Sequence, residues 1–185
     1  MSDLKTLVVF AHSDEAAAFT DVQHLVSGVG KVNASVALAG ALAAGGVEKV
    51  VVLGTAGVVG DGEPRPDLNT VYQVTHVLQH DFPLASPTLT LTGEVILPDH
   101  QATMATGDVF VSDDAQRAHI HELGAELVDM EGYAYASMCQ RFDVPLQIFK
   151  VPSDYADSET TMDDWDAIVK HKSVQLREFF DKNLR

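Results

Sequence analysis

Along this chain, runs of consecutive apolar residues alternate with segments whose apolar positions recur at helical spacing. That is the pattern of strands buried on both faces and joined by helices. Leu4 to Ala11, Lys49 to Leu53 and Leu146 to Val151 are continuous apolar runs, and the shorter Glu126 to Val128 joins them as a strand. Leu68 to Leu78 alternates, and Ala102 to Val111 reads as a strand broken at Thr106-Gly107-Asp108 and ending in Phe110-Val111. Helices are expected from near Ser13, over Ala34 to Ala44, after Asp113-Asp114, over Met130 to Phe142, and behind Thr161-Met162-Asp163-Asp164, whose spacing resembles a capping box. In the last helix Trp165, Ile168, Val169, Lys172, Leu176, Phe179 and Phe180 form a stripe that should cover the sheet, with Lys172 contributing its stem. Asp14 and Glu15 fall in the first turn of the helix near Ser13, where the macrodipole favours acids. Pro64 and Pro66 mark a loop over Asp61 to Leu68, and Pro83 and Pro87 another over Phe82 to Thr88. Without a repeat, linker or low-complexity tract, the alternation predicts one α/β domain spanning residues 1–185.

Composition narrows the partners. Twelve Lys and Arg against 27 Asp and Glu give a formal charge of −15, which repels nucleic-acid phosphates and anionic membrane surfaces. No apolar run approaches the roughly 20 residues that span a bilayer. The opening MSDLKTLVVFAHSDE meets acids too soon for a signal peptide and reads as a first strand. A single cysteine, Cys139, excludes an internal disulfide and a cysteine-rich zinc site, so a cytoplasmic setting is the default. Its place in the apolar pattern of the Met130–Phe142 helix marks it as a core residue.

Candidate chemistry gathers between Leu127 and Asp157. Glu131 and Asp154 fall just past two runs that read as parallel strands, where open α/β sheets bind ligands. Singly, Glu131 fits a helix N-terminus and Asp154 a turn; as a pair they point to acid chemistry on a small polar ligand. Ser27-Gly28-Val29-Gly30-Lys31-Val32-Asn33 precedes the alanine-rich helix, where free amides suit an anion and glycines suit a tight turn. Gly54-Thr55-Ala56-Gly57 closes a strand with residues small enough for a ligand to approach the backbone. His76 and His80 lack a third ligand in pattern, and His119 and His121 fall at positions expected to be exposed, so no metal is expected.

Several of these segments together resemble the nucleoside phosphorylase and nucleosidase superfamily, most closely its 5′-methylthioadenosine/S-adenosylhomocysteine nucleosidase branch. They are Ser27 to Val32, Gly54 to Gly57, Thr106-Gly107-Asp108-Val109-Phe110-Val111, Val128-Asp129-Met130-Glu131-Gly132, and Pro152-Ser153-Asp154-Tyr155-Ala156-Asp157. The resemblance implies a three-layer α/β sandwich with a mixed, largely parallel central sheet, a homodimer, no cofactor, and hydrolysis of a purine nucleoside of adenine type. It makes Asp154 the general acid to purine N7, Glu131 and Met130 the ribose-holding pair, and Glu15 the acid that positions water. It places Phe110 on the base, the Val111 backbone at its edge, and Ser153 beside Asp154, with Thr55, Ala56, Gly57 and Asp129 completing the binding set.

The chemistry fits such a division. Parting an N-glycosidic bond builds positive charge on the sugar and negative charge on the base, so one carboxyl must donate a proton while another stays ionised beside the ribose. The first strand ends in HSDE with no arginine near, which favours water over phosphate as nucleophile. A phosphate-dependent phosphorylase of the same fold, or a nucleoside-binding module without turnover, are the competing readings. Against the family pattern, the segment from Phe19 to Ser27 is short, Lys150 replaces arginine, Asp129 replaces glutamate, and Gly132-Tyr133 replaces alanines, leaving a tyrosine to enter or flank the pocket.

Overall fold

The computed structural model describes residues 5–62 and 65–185; Leu4 and Pro64, which belong to the expected first strand and first proline loop, lie outside the described residues. The elements in order are β1 (Thr6–Phe10), β2 (His24–Val26), α1 (Lys31–Ala43), β3 (Lys49–Val58), β4 (Tyr72–Gln79) and β5 (Leu89–Thr90). Then follow β6 (Gln101–Thr106), α2 (Asp114–Glu122), β7 (Leu127–Asp129), α3 (Gly132–Phe142), β8 (Leu146–Asp154) and α4 (Met162–Asn183).

The sheet is mixed and closes on itself. β3 pairs with β7, β7 with β6, β6 with β4, β4 with β8, and β8 again with β3, while β1, with β2 beyond it, pairs with the first part of β3 and β7 with its last two residues. Closure leaves the strands of the ring no free edge. β3 is buried from Val50 to Val58 because both its faces are covered: Val50 and Val52 pack with Leu38, Leu42, Tyr135 and Cys139 of α1 and α3, whereas Val51 and Leu53 pack with Leu176 and Phe180 of α4. β8 divides the same way, Leu146 and Ile148 on the first side and Phe149 and Val151 on the second. Fully burying each such side chain stabilises the fold by roughly 1.5–3 kcal/mol. The stem of Lys172 is buried in α4 and its ammonium reaches the carbonyl of Leu68.

Three expectations are corrected and one unforeseen strand is added. No helix forms near Ser13; residues 12–19 run as successive turns closed by bonds from Glu15 N to His12 O, Ala17 N to Asp14 O and Phe19 N to Ala16 O, and Ala18 N, which a helix would direct at Asp14 O, donates to Ser173 Oγ instead. The short segment after Phe19 carries a strand, β2, which three residues beside β1 suffice to form. β6 stops at Thr106, and Phe110 and Val111 stand on a loop held by Asp81, which accepts from Asp108 N. β7 and β8 are not parallel to each other: β8 runs with β3 and β7 against it, with β3 lying between them. Their C-terminal ends still meet, since Val128 and Asp154 both pair with Gly57.

α4 begins with a complete capping box, Asp164 N donating to Thr161 Oγ1 (3.2 Å) and Thr161 N to Asp164 Oδ2 (2.9 Å). Thr161→Ala is expected to lower stability by about 1 kcal/mol, read as a lower urea midpoint at unchanged slope.

Candidate active site

Gly57, where the ends of β3, β7 and β8 converge, opens one side of a cavity of about 270 Å³, near the lower end of the roughly 300–1,000 Å³ usual for small-molecule sites. A side chain at Gly57 would lie 3.1 Å from Asp154 Oδ1 and 3.0 Å from Ala156 Cβ, so glycine there is what admits the acid. All eleven residues singled out from the sequence line this cavity: Glu15, Thr55, Ala56, Gly57, Phe110, Val111, Asp129, Met130, Glu131, Ser153 and Asp154. Asp154 is mostly buried, and burial raises its carboxyl above the ordinary aspartate range, although Ser153 Oγ (2.6 Å) and Ala156 N (2.8 Å) donate to it and pull the other way.

Across the cavity lie three more acids and one ammonium. Glu15 Oε1 accepts from Thr55 N (2.7 Å) and Thr55 Oγ1 (2.8 Å), and its Oε2 from His12 N (3.2 Å). Asp129 accepts from Thr106 Oγ1 (2.7 Å) and Gly132 N (2.9 Å) and pairs with Lys150 Nζ at 3.1 Å, both side chains only 2% exposed. Glu131 Oε1 accepts from Gly30 N (2.8 Å). Burial opposes the charge on Lys150, and the neighbouring Asp129, Glu15 and Glu131 outweigh it, raising its pKa. Gly54 makes this packing possible, since a Cβ there would stand 3.0 Å from Glu15 Oε1 and 3.2 Å from Lys150 Nζ.

Glu131 was expected to stay ionised. Burial, then the Asp129 charge, push it up to about 8, with Lys150 and the Gly30 amide opposing. It also makes no side-chain cap to α3, so helix capping does not explain its presence. The amides before α1 are occupied by protein acids: Gly30 N by Glu131 and Lys31 N by Asp108 Oδ1 (2.7 Å). Tyr133 does not line the cavity; its hydroxyl bonds Ser86 Oγ and the Pro87 carbonyl, both at 3.0 Å.

The sequence reading missed several wall residues. His12 follows β1 directly, and the strand-end rule applied to β1 as it was to β7 and β8 would have found it. Met162, Trp165 and Asp166 line the cavity from the start of α4, where Trp165 had been assigned to the core-facing stripe. Lys150 was noticed only as a departure from arginine. Among the described residues no group of three metal-ligating side chains gathers; His76 bonds Thr75 Oγ1, and His80 packs against Gly107 with burial lowering its pKa. His121, expected to be exposed, is half-buried and bonds the Ala125 carbonyl.

Fold and site together define an α/β protein with a cavity at converging strand ends, lined on the one hand by the mostly buried Asp154 and on the other by the acids of a buried acid–ammonium cluster. The chain belongs to the phosphorylase superfamily, whose family model matches residues 17–185, Glu15 falling just outside the matched segment. It is 31% identical over 182 residues to an aminodeoxyfutalosine nucleosidase of Helicobacter pylori, covering 85% of this chain and 77% of that protein. It is 29% identical over 164 residues to a 5′-methylthioadenosine/S-adenosylhomocysteine nucleosidase of Exiguobacterium sp., covering 75% and 69%. Among solved structures, the Helicobacter pylori 5′-methylthioadenosine/S-adenosylhomocysteine nucleosidase with butyl-thio-DADMe-Immucillin-A superposes with a TM-score of 0.84 at 21% identity, covering 98% of each chain.

A carboxyl raised from 4.5 to about 8 on folding makes the native state bind more protons than the unfolded one across that interval. Stability contributed by protonated Glu131 is therefore full below about pH 4.5 and is lost as pH rises through about 8. Glu131→Gln should flatten this part of the pH–stability curve, measured as melting temperature from pH 5 to 9.

Proposed function

We propose that this protein is a purine nucleosidase that hydrolyses the N-glycosidic bond of adenine-type nucleosides carrying a 5′ substituent of the methylthioadenosine or S-adenosylhomocysteine kind. The observation that carries the reading is Asp154: a mostly buried carboxyl in the wall of a cavity of about 270 Å³, raised above the ordinary aspartate range, with a second, buried carboxyl, Glu131, lining the same cavity. The names of the relatives, nucleosidases of aminodeoxyfutalosine and of methylthioadenosine, support the same reaction class.

In this mechanism Asp154 delivers its proton to purine N7, the bond from the base to the ribose breaks, and the freed base leaves neutral. Positive charge develops on the ribose beside Glu131, which favours the carboxylate and lowers its pKa once the complex forms. Glu15, anchored on Thr55, orients the water whose oxygen joins the ribose carbon; one water proton restores Asp154. Phe110 stacks on the base, Val111 meets its edge, and Met130 packs on the sugar. Among the described residues lining the cavity there is no arginine or lysine to receive a phosphate dianion, which favours water over phosphate.

The same proposal includes a three-layer sandwich, a homodimer and a cytoplasmic setting. Helices on both sides of β3 support the first. Val32 and Val36 on α1, 73% and 70% exposed, support the second, and the lone reduced Cys139 supports the third.

Asp154→Asn should lower the rate of adenine release from methylthioadenosine by about 10²–10⁴-fold, the usual contribution of a general acid, with nucleoside affinity retained in calorimetry. Parent-like release would remove Asp154 from the mechanism. Release by the parent should proceed equally with and without phosphate in a chromatographic assay, and strict phosphate dependence would select the phosphorylase reading.

A further inference from the structure

Trp165, the only tryptophan of the chain, stands in the first turns of α4 and lines the cavity. Its Nε1 lies 3.0 Å from Thr55 Oγ1, which lies 2.8 Å from Glu15 Oε1. An indole N–H donates and never accepts, and a threonine hydroxyl has a single hydrogen. With the indole hydrogen directed at the hydroxyl oxygen, the hydroxyl hydrogen is left for Glu15, and the chain has one direction: indole to hydroxyl to carboxylate. The indole also meets the His12 imidazole edge-on, centroids 5.2 Å apart at 83°, and His12 N is the donor to the other oxygen of Glu15. Trp165 thus touches both residues that hold Glu15.

From this geometry we infer that Trp165 is a positioning residue for Glu15: its indole N–H fixes the rotor of the Thr55 hydroxyl so that the Glu15 carboxylate is held for its work on the attacking water. The start of α4 is thereby tied to the nucleophile side of the site, opposite the Asp154 side. The catalytic half of the inference rests on the nucleosidase reading; the hydrogen-bond relay itself does not.

Two measurements on the full chain separate these halves. In an ¹⁵N-labelled sample the single tryptophan gives one indole cross-peak, read without substrate. Thr55→Ala should move that peak upfield by removing its acceptor, while Thr55→Ser should leave it near the parent position. In kinetics with methylthioadenosine, Trp165→Phe keeps an aromatic wall and loses only the donor. It should lower kcat about three- to tenfold, the effect of one neutral hydrogen bond, with KM within about twofold. Trp165→Phe added to Thr55→Ala should cost little more than Thr55→Ala alone, because both break one relay. An unmoved indole peak in Thr55→Ala, a parent-like kcat in Trp165→Phe, or fully additive losses in the pair would each overturn the inference. Absence of base release by the parent would instead count against the proposed function, since the indole shift is read independently of turnover.

Discussion

Three carboxylates and one ammonium buried together under the end of β3 are the constraint on which the site depends. Removing an ion from water costs several kcal/mol even after relaxation, so such a cluster persists only where every charge finds donors or a partner. Here each acid is satisfied by a different part of the chain: Glu15 by β3, Asp129 by β6 and the start of α3, Glu131 by the turn before α1. The hydrogen bonds that make the charges tolerable therefore also fasten those segments to one another. If all four groups were ionised the cluster would carry two excess negative charges; burial first, and the Asp129 charge after it, push Glu131 up to about 8 and so lessen that excess.

Around this cluster the closed ring of strands acts as a frame. β3 belongs to three pairings and has both faces covered, so the position of Thr55, Ala56 and Gly57 is set by packing well below the cavity. Gly54 and Gly57 then let side chains from other strands approach where a Cβ would block them. Asp154 arrives on β8 in register with Gly57, and its acidity follows from burial there more than from any neighbouring charge.

Most of the strands were legible because residues buried on both faces leave continuous apolar runs, as in KVVVL of β3. Glu131 and Asp154 were picked out because they follow such runs directly, whereas Glu15, Phe110, Val111, Asp129, Met130 and Ser153 were picked out by the family resemblance. What the sequence did not carry was direction and long-range bonding. β7 is three residues long, and nothing local tells whether it runs with β3 or against it. Asp14 and Glu15 look like first-turn helix acids because both partners of Glu15 that matter, the Thr55 amide and hydroxyl, are 40 residues away. Trp165 fits a helical apolar stripe by spacing, and only the fold reveals that its polar edge meets Thr55 in the cavity wall.

Lys150, at a position where the family resemblance led us to expect arginine, bears on which nucleophile the cluster admits. A guanidinium can bind an anion with two parallel hydrogen bonds, whereas an ammonium is a compact point charge. Lys150 spends its charge on Asp129, with Glu15 and Glu131 also acting on it, and is itself almost wholly excluded from solvent. Among the described residues lining the cavity there is then no lysine or arginine for an incoming dianion. Two unit charges of like sign 4 Å apart repel by about 4 kcal/mol at the effective dielectric of a protein site, so phosphate beside Glu15 would meet a barrier that water does not. The same surplus of acid that repels phosphate is the environment in which positive charge on a ribose is stabilised, which makes exclusion of the one nucleophile and support for hydrolysis two consequences of a single arrangement.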